Sequence, residues 1–248
     1  MIAKFVAINK RVCIEFASNN QWFIPKGDFR GRLLEIVDER LSEFETVRVL
    51  EVGGIDRPLI NKSPSITYDG LDIEYNAACD LVYDNFYCQS IELPVENAKK
   101  KYNLITSITL LEHVPNNKAT ITNCYELLDE NGVMAHYVPS KWHPYSIILR
   151  AVGSRWQKKI ILVLRPEAIS VTGYPTYFNY CSPSSMFKLL KSEGFKEIKI
   201  IPFFSAADYF NFFFPFFLIV LAWENFCRLL KLEWCCSGFI FTAIKGAE

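Results

Sequence analysis

Apolar residues along the chain fall into short buried runs separated by amphipathic stretches. Between residues 30 and 44, Leu33, Leu34, Ile36, Val37, Leu41 and Phe44 recur at helical spacing among charges, which predicts an amphipathic helix. Directly after it, Val47, Val49, Leu50 and Val52 form a β-branched and leucine run with the character of a strand buried on both faces. Further runs predict strands over residues 65–73, 79–86, 104–108, 133–138, 197–204 and 238–245. A helix lies between the fourth and fifth of these seven strands, and Gly132 suits its left-handed cap. Before the sixth strand, Ser182 reads as an N-cap, Pro183 as the first helical residue and Gly194 as the C-cap. Residues 1–29 are harder: Phe5, Val6, Ile8, Val12 and Ile14 suggest a short strand or hairpin, serving as a flap or as cover for a sheet edge. The alternation of strand and helix over residues 30–248 is that of a doubly wound α/β domain.

Candidate chemistry concentrates at the ends of the first two strands. The first ends in Glu51, followed at once by Gly53 and Gly54, a turn in which backbone can approach a ligand without a Cβ in the way. The second ends in Asp72, 21 positions after Glu51. An acid at that distance, on the neighbouring strand tip, is where nucleoside-binding α/β folds grip ribose hydroxyls. A dinucleotide is disfavoured, because Ile55-Asp56-Arg57-Pro58 supplies no third glycine and Asp56 would repel a phosphate. Glu51 instead suits a cationic group, such as an amino acid ammonium or its bridging water.

This segment resembles motif I of the class I S-adenosylmethionine-dependent methyltransferases, roughly Glu/Asp-x-Gly-x-Gly-x-Gly, and departs from it at Ile55 and Arg57. Residues 110–114, Leu-Glu-His-Val within LLEHV, and Leu127-Leu128 through Gly132 resemble a second block common in small-molecule methyltransferases. The resemblance implies a Rossmann-like seven-stranded sheet with an antiparallel last strand, and S-adenosyl-L-methionine as cofactor. The residues it singles out for cofactor binding are Glu51, Gly53, Gly54, Asp72, Ile73, Asp84, Asn85 and Ser107. It implies that Asp84, at the end of the third strand, accepts from the adenine amino group and that the following backbone N–H reads the ring; Asp84 as a mere turn residue stays open. His113, at the carboxyl edge of the fourth strand, is a candidate base for a hydroxyl acceptor, since an ordinary imidazole titrates near ~6.5. A packing role for it stays equally open. His143, in the loop after the fifth strand, is a second candidate base, beside Trp142 as a pocket wall. A metal site built on Glu112 and His113 lacks further ligands, so none is expected.

Composition adds constraints. Of 248 residues half are hydrophobic, and Lys and Arg balance Asp and Glu at 27 each, so no global field draws the chain to nucleic acid. The eight cysteines show no zinc spacing and no secretory leader is evident, which predicts a reduced, cytoplasmic chain. Residues 141–180 read as a lid over the acceptor site, with Arg150, Arg155, Lys158 and Lys159 among apolar blocks and Tyr174, Tyr177 and Tyr180 as pocket walls. Residues 205–234 form an aromatic insertion. Its core, 209–223, is uncharged but shorter than the ~20 residues a spanning helix needs, and Asn211 and Pro215 interrupt it. So many phenylalanines require cover, which predicts peripheral contact with the inner face of a membrane, or a homodimer. The expected acceptor is accordingly a small-molecule or lipid-linked glycan, by analogy with surface-polysaccharide methyltransferases. A quinone-like molecule is the alternative, and a non-catalytic membrane scaffold the reading from another class.

Overall fold

The computed structural model describes residues 2–25, 27–55, 57–95, 101–148, 150–153, 159 and 174–246. The chain divides into two compact units. Met1–Gly27, Ser140–Thr176 and Pro202–Gly238 form one; Asp28–Pro139, Tyr177–Ile201 and Phe239–Glu248 form the other. The N-terminal segment and both predicted insertions thus fall largely in one unit, and the sheet in the other.

The sheet unit begins with α2 (Phe29–Leu41), preceded in the chain by α1 (Ile2–Asn19) of the other unit. Asp28 caps α2, its carboxylate accepting from the Gly31 N–H at 2.7 Å, and Leu33 and Val37 are its buried face. Seven strands follow: β1 (Val47–Val52), β2 (Ile66–Asp72), β3 (Asn85–Cys88), β4 (Tyr102–Ile108), β5 (Leu128–Pro139), β6 (Phe195–Phe203) and β7 (Gly238–Lys245). They lie in the order β3-β2-β1-β4-β5-β7-β6, and the pairs β1·β2, β1·β4, β2·β3 and β4·β5 are parallel. Val49, Leu50, Leu104, Ile105, Met134 and Ala135 are wholly buried, as a sheet covered on both faces requires. Strand order reverses between β1 and β4, so their carboxyl ends, at Val52 and Ile108, bound the crevice where such sheets take ligands.

Two local expectations are corrected. Residues 79–86 are not one strand: Cys79–Val82 form a single helical turn, α3, and pairing with β2 starts only at Asn85. Cys79 and Tyr83, four apart and both buried, carry a helical rather than an alternating period. Helix α4 (Asn117–Leu127), capped by Asn116, stops before Gly132, and Asn131 is the left-handed residue at φ 60. Gly132 answers a different demand, since a Cβ there would stand 2.8 Å from the Asp129 carbonyl oxygen and 2.9 Å from that of Tyr102. Ser182 is the N-cap of α5 (Pro183–Ser192) with Pro183 in its first turn, as expected, although its hydroxyl bonds Ser185 Oγ at 2.6 Å and not the helix backbone. Gly194, at φ +92, does turn the chain past that helix.

In the other unit the N-terminal segment is helix, not strand: α1 (Ile2–Asn19). Phe5, Ile8 and Val12 have the 3-4 spacing of a helix face, a period that outweighs their β propensity. α1 packs against α6 (Phe214–Leu229), where Cys13, Phe217 and Leu221 are the buried centre, with Phe16 and Phe23 against it. Pro215 stands in the first turn of α6, where its missing N–H costs nothing, so it begins that helix instead of interrupting one. Residues 144–148 and 150–153 are helical; 154–158 and 160–173 of the predicted lid, including Arg155 and Lys158, lie outside the described residues.

Gly132→Ala is expected to destabilise the chain by about 1–3 kcal/mol, because the neighbours it would meet are backbone oxygens. Asn131→Gly is expected to be neutral within about 0.5 kcal/mol. Urea denaturation of both variants checks this, and equal effects would contradict the assignment.

Candidate active site

The crevice is bounded by two chain reversals. After β1, Gly53 turns at φ +85 and its N–H donates to the Leu71 carbonyl at 2.9 Å, tying the turn to β2. After β4, Thr109 sits at φ 52 and Leu110 follows, its Cδ1 only 2.9 Å from where a Gly53 Cβ would be. The turns after β1 and β4 are therefore in contact. Ile55 is also left-handed, at φ 49. Isoleucine and threonine pay about 1–3 kcal/mol each for this conformation, a strain that clusters at ligand clamps. Ile55 occupies the second glycine position of the sequence motif and keeps the backbone shape that glycine would allow. Asp56 lies outside the described residues.

Glu51 is buried, and its carboxylate serves the protein itself. Oε2 accepts from the Leu59 N–H at 3.0 Å, from the Tyr68 hydroxyl, and from the Tyr83 hydroxyl at 3.3 Å. Burial raises its pKa, against the lowering effect of those donors. Gly54 packs over the same cluster: an added Cβ would meet the Tyr83 hydroxyl at 2.4 Å and Glu51 Cδ at 2.7 Å. Internal donors thus fill Oε2 of Glu51, and a ligand's ammonium would have to be met by Oε1.

Asp72 does stand at the tip of β2, half-buried. Its Oδ1 accepts from the Glu74 N–H at 2.9 Å, and burial raises its pKa. Ile73 beside it is 65% exposed, an apolar surface at the mouth of the crevice. Asp84 and Asn85, by contrast, begin β3, beside Tyr68 and Asp69 near the middle of β2. Asp84 Oδ2 accepts from the Tyr68 N–H at 2.8 Å and Oδ1 pairs with Lys62 at 2.5 Å, while Asn85 donates to Asp69 at 2.8 Å. Placing the third strand too early put the adenine-reading acid at the wrong end. The carboxyl end is Cys88, in register with Asp72, and Gln89 follows it. The aromatic pair Phe86-Tyr87, of high strand propensity, was the signal for that strand. Ser107 is buried and its hydroxyl bonds His136 Nδ1 on β5 at 2.6 Å, so its side chain is likewise used internally.

His113 closes a short 3-10 turn (Leu111–His113), its N–H donating to the Leu110 carbonyl at 2.8 Å. Its side chain is 31% exposed, with Nε2 at 3.6 Å from Glu112 Oε1. Glu112 is buried, Oε2 has no hydrogen-bond partner, and burial pushes its pKa up to about 8. Sequence reading treated Glu112 only as a rejected ligand; a glutamate after two leucines was the available signal that it faces inward. His143 belongs to the other unit. It is wholly buried, Nδ1 accepts from the Tyr145 N–H at 3.2 Å, and Nε2 lies 3.6 Å from Glu224 Oε1. Burial lowers its pKa to about 4. The expectation of an acceptor-facing base at His143 is corrected, because its side chain has no surface to offer one. Among the described residues, no group of three or more His, Cys, Asp or Glu is placed to hold a metal ion.

The arrangement fits a nucleoside-bearing cofactor. A cradle that a Cβ would fill, a half-buried acid at the next strand tip and an exposed apolar side chain beside it meet at one edge. A family model described as a methyltransferase domain matches residues 26–200. No curated protein sequence matches the chain. Among solved structures, phosphoethanolamine N-methyltransferase 2 of Haemonchus contortus, in complex with S-adenosyl-L-methionine, aligns with a TM-score of 0.51 at 12% identity, over 90% of this chain and 54% of the other. This chain thus spans about half the length of that enzyme. A protein of Bacillus halodurans C-125 assigned as a methyltransferase aligns with a TM-score of 0.50 at 14% identity, over 89% of this chain and 100% of the other. At such identities the likeness is one of fold.

Glu112 generates a pH prediction. With the native pKa near 8 and an ordinary value of 4.5, the native chain holds a proton that the unfolded chain has released, so stability falls as pH rises through that window. Glu112→Gln removes this slope. Relative to wild type the variant gains up to about 1.4 kcal/mol per pH unit between those limits, read from urea curves at several pH values; parallel curves would contradict it.

Proposed function

The chain belongs to the methyltransferase domain family, and from that premise we propose that it moves a methyl group from S-adenosylmethionine to an oxygen of a saccharide or lipid-linked acceptor, at the cytoplasmic face of a membrane. The observation that carries the cofactor half is the meeting of the Gly53 bend, the Leu110 turn and Asp72 at the strand-order reversal. When bound, the cofactor supplies an electrophilic methyl on a sulfonium. Asp72 accepts hydrogen bonds from the ribose hydroxyls, Ile73 lies against the adenine, and the backbone of residues 53–55 approaches the remainder. His113 takes the acceptor hydroxyl's proton. Glu112, neutral behind it, leaves that imidazole without a fixed counter-charge. The in-line geometry that displacement at a methyl demands makes positioning the main contribution.

The acceptor class is supported by the other unit. Its aromatic insertion is helix α6, and no described helix is long and apolar enough to cross a membrane. An exposed aromatic helix face of that kind suits peripheral contact with a membrane, where a lipid-linked acceptor would be met. One observation favours a second reading, a cofactor-blind scaffold: Oε2 of Glu51 is filled by internal donors, and Ile55 and Arg57 stand at two glycine positions.

Calorimetry with S-adenosylhomocysteine separates the two. Binding is expected, and Asp72→Ala weakens it by about tenfold or more. No binding at about millimolar ligand would select the scaffold, whereas unchanged affinity in the variant would remove Asp72 from the site. His113→Gln is expected to lower methyl transfer by about a hundredfold or more while leaving cofactor affinity intact. Transfer assays against a lipid-linked saccharide and a quinone decide the acceptor, the first being the expected substrate.

A further inference from the structure

The balanced net charge conceals a division between the two units. Over the full sequence, the unit made of Met1–Gly27, Ser140–Thr176 and Pro202–Gly238 carries twelve Lys and Arg against five Asp and Glu, net +7. The remainder carries fifteen against twenty-two, net −7. Within the positive unit, α6 presents one face that is apolar along its length. Phe216, Ile219, Trp223, Phe226 and Leu230 follow each other at spacings of three and four, all exposed, from 37% at Trp223 to 64% at Ile219. The opposite face is committed to the interior through Phe217, Leu221, Glu224 and Asn225. Glu224 accepts from the Ala206 and Ala207 N–H groups, and Asn225 donates to the Phe23 carbonyl. The helix therefore cannot rotate to hide the stripe.

The apolar surface continues onto α1. Phe213 stacks on Phe5 at 6.1 Å and meets Phe216 edge-on at 5.0 Å. On α1, exposed Phe5, Ile8 and Val12 share a face with exposed Lys4 and Arg11, so cations flank the stripe. At the other end of α6, a cavity of about 570 Å³ is lined by Trp22, Ile24, Phe204, Arg228, Lys231 and Glu233.

We infer that this unit docks on an anionic lipid bilayer: the α6 stripe enters the boundary between head groups and acyl chains, and Lys4 and Arg11 at its flank meet the head-group phosphates. This deepens the membrane half of the proposed function and rests on it. Charge selects the occupant. A second copy would bring Lys4 and Arg11 and a unit of net positive charge against their like, whereas an anionic leaflet complements them, and each basic residue near such a surface adds attraction. Aromatic residues on one face with cations at its flanks are the composition of an interfacial helix.

Flotation of the full chain with vesicles tests the inference. Binding to phosphatidylcholine with about 30% phosphatidylglycerol is expected to exceed binding to phosphatidylcholine alone by about tenfold or more, and to collapse at about 0.5 M salt. Trp223→Ser with Phe226→Ser lowers binding to both vesicle types by about tenfold or more. Lys4→Glu with Arg11→Glu lowers only the anionic preference. All four positions are exposed, and an unchanged melting temperature confirms that the variants fold. Equal partition to both vesicles, or variants that bind like wild type, would overturn the inference. So would a concentration-dependent dimer in sedimentation that Trp223→Ser and Phe226→Ser dissociate, since the stripe would then belong to a second copy. Cofactor calorimetry on the same samples keeps the two readings apart: vesicle binding without cofactor binding leaves the surface and removes the enzyme, and the converse leaves the enzyme alone.

Discussion

At Gly53 the chain has no room for a side chain, and the carboxyl edge of the sheet depends on that. The residue turns at φ +85, its N–H is held by Leu71, and the Leu110 side chain fills the place of a Cβ. Any other residue would need both a strained backbone and a displaced leucine. Through this contact the turn after β1 is fixed to the turn after β4, across the reversal of strand order that opens a crevice in sheets of this kind. Ile55 and Thr109, both β-branched and both left-handed, extend the same bend on either side. Their strain is what a site that approaches its ligand by backbone would retain.

The acid before the bend has an internal task besides the one its motif suggests. Burying a carboxylate is costly unless donors replace water. Here Tyr68, Tyr83 and the Leu59 N–H do so at a single oxygen. Glu51 thereby joins β1, β2 and the 59–60 segment, and Gly54 is small because Tyr83 and Glu51 pack under it. One glycine of the pair serves the approach, the other the interior. In the proposed function, recognition of a nucleoside falls to Asp72, Ile73 and the backbone of the bend.

The strands and their order of appearance were legible because each is a short apolar run next to a turn residue, and a buried parallel sheet imposes that pattern. What failed were elements whose period was too short to read. Four residues of α3 look like the beginning of β3, and this shift displaced Asp84 and Asn85 from the middle of the sheet to its edge. In α1 the same apolar residues fit strand propensity and helix period, and packing against α6 chose the helix. Asp72 and the glycine bend could be located from spacing alone. The internal use of Glu51, Ser107 and His143 could not, because each depends on a partner far away in sequence: Tyr68 and Tyr83, His136, and Glu224.

The sequence also hid a division of labour, since charges of +7 and −7 cancel in any overall count. The sheet unit is acidic and carries the bend, and the helical unit is basic and carries an exposed aromatic stripe. For the first of these, hydrogen exchange followed by mass spectrometry with S-adenosylhomocysteine present is the most direct measurement. Slowed exchange in peptides covering residues 53–55, 72–75 and 109–113 is the predicted result. Unchanged exchange in those three segments, with protection confined elsewhere in the chain or found nowhere, would contradict a cofactor held at the Gly53 bend.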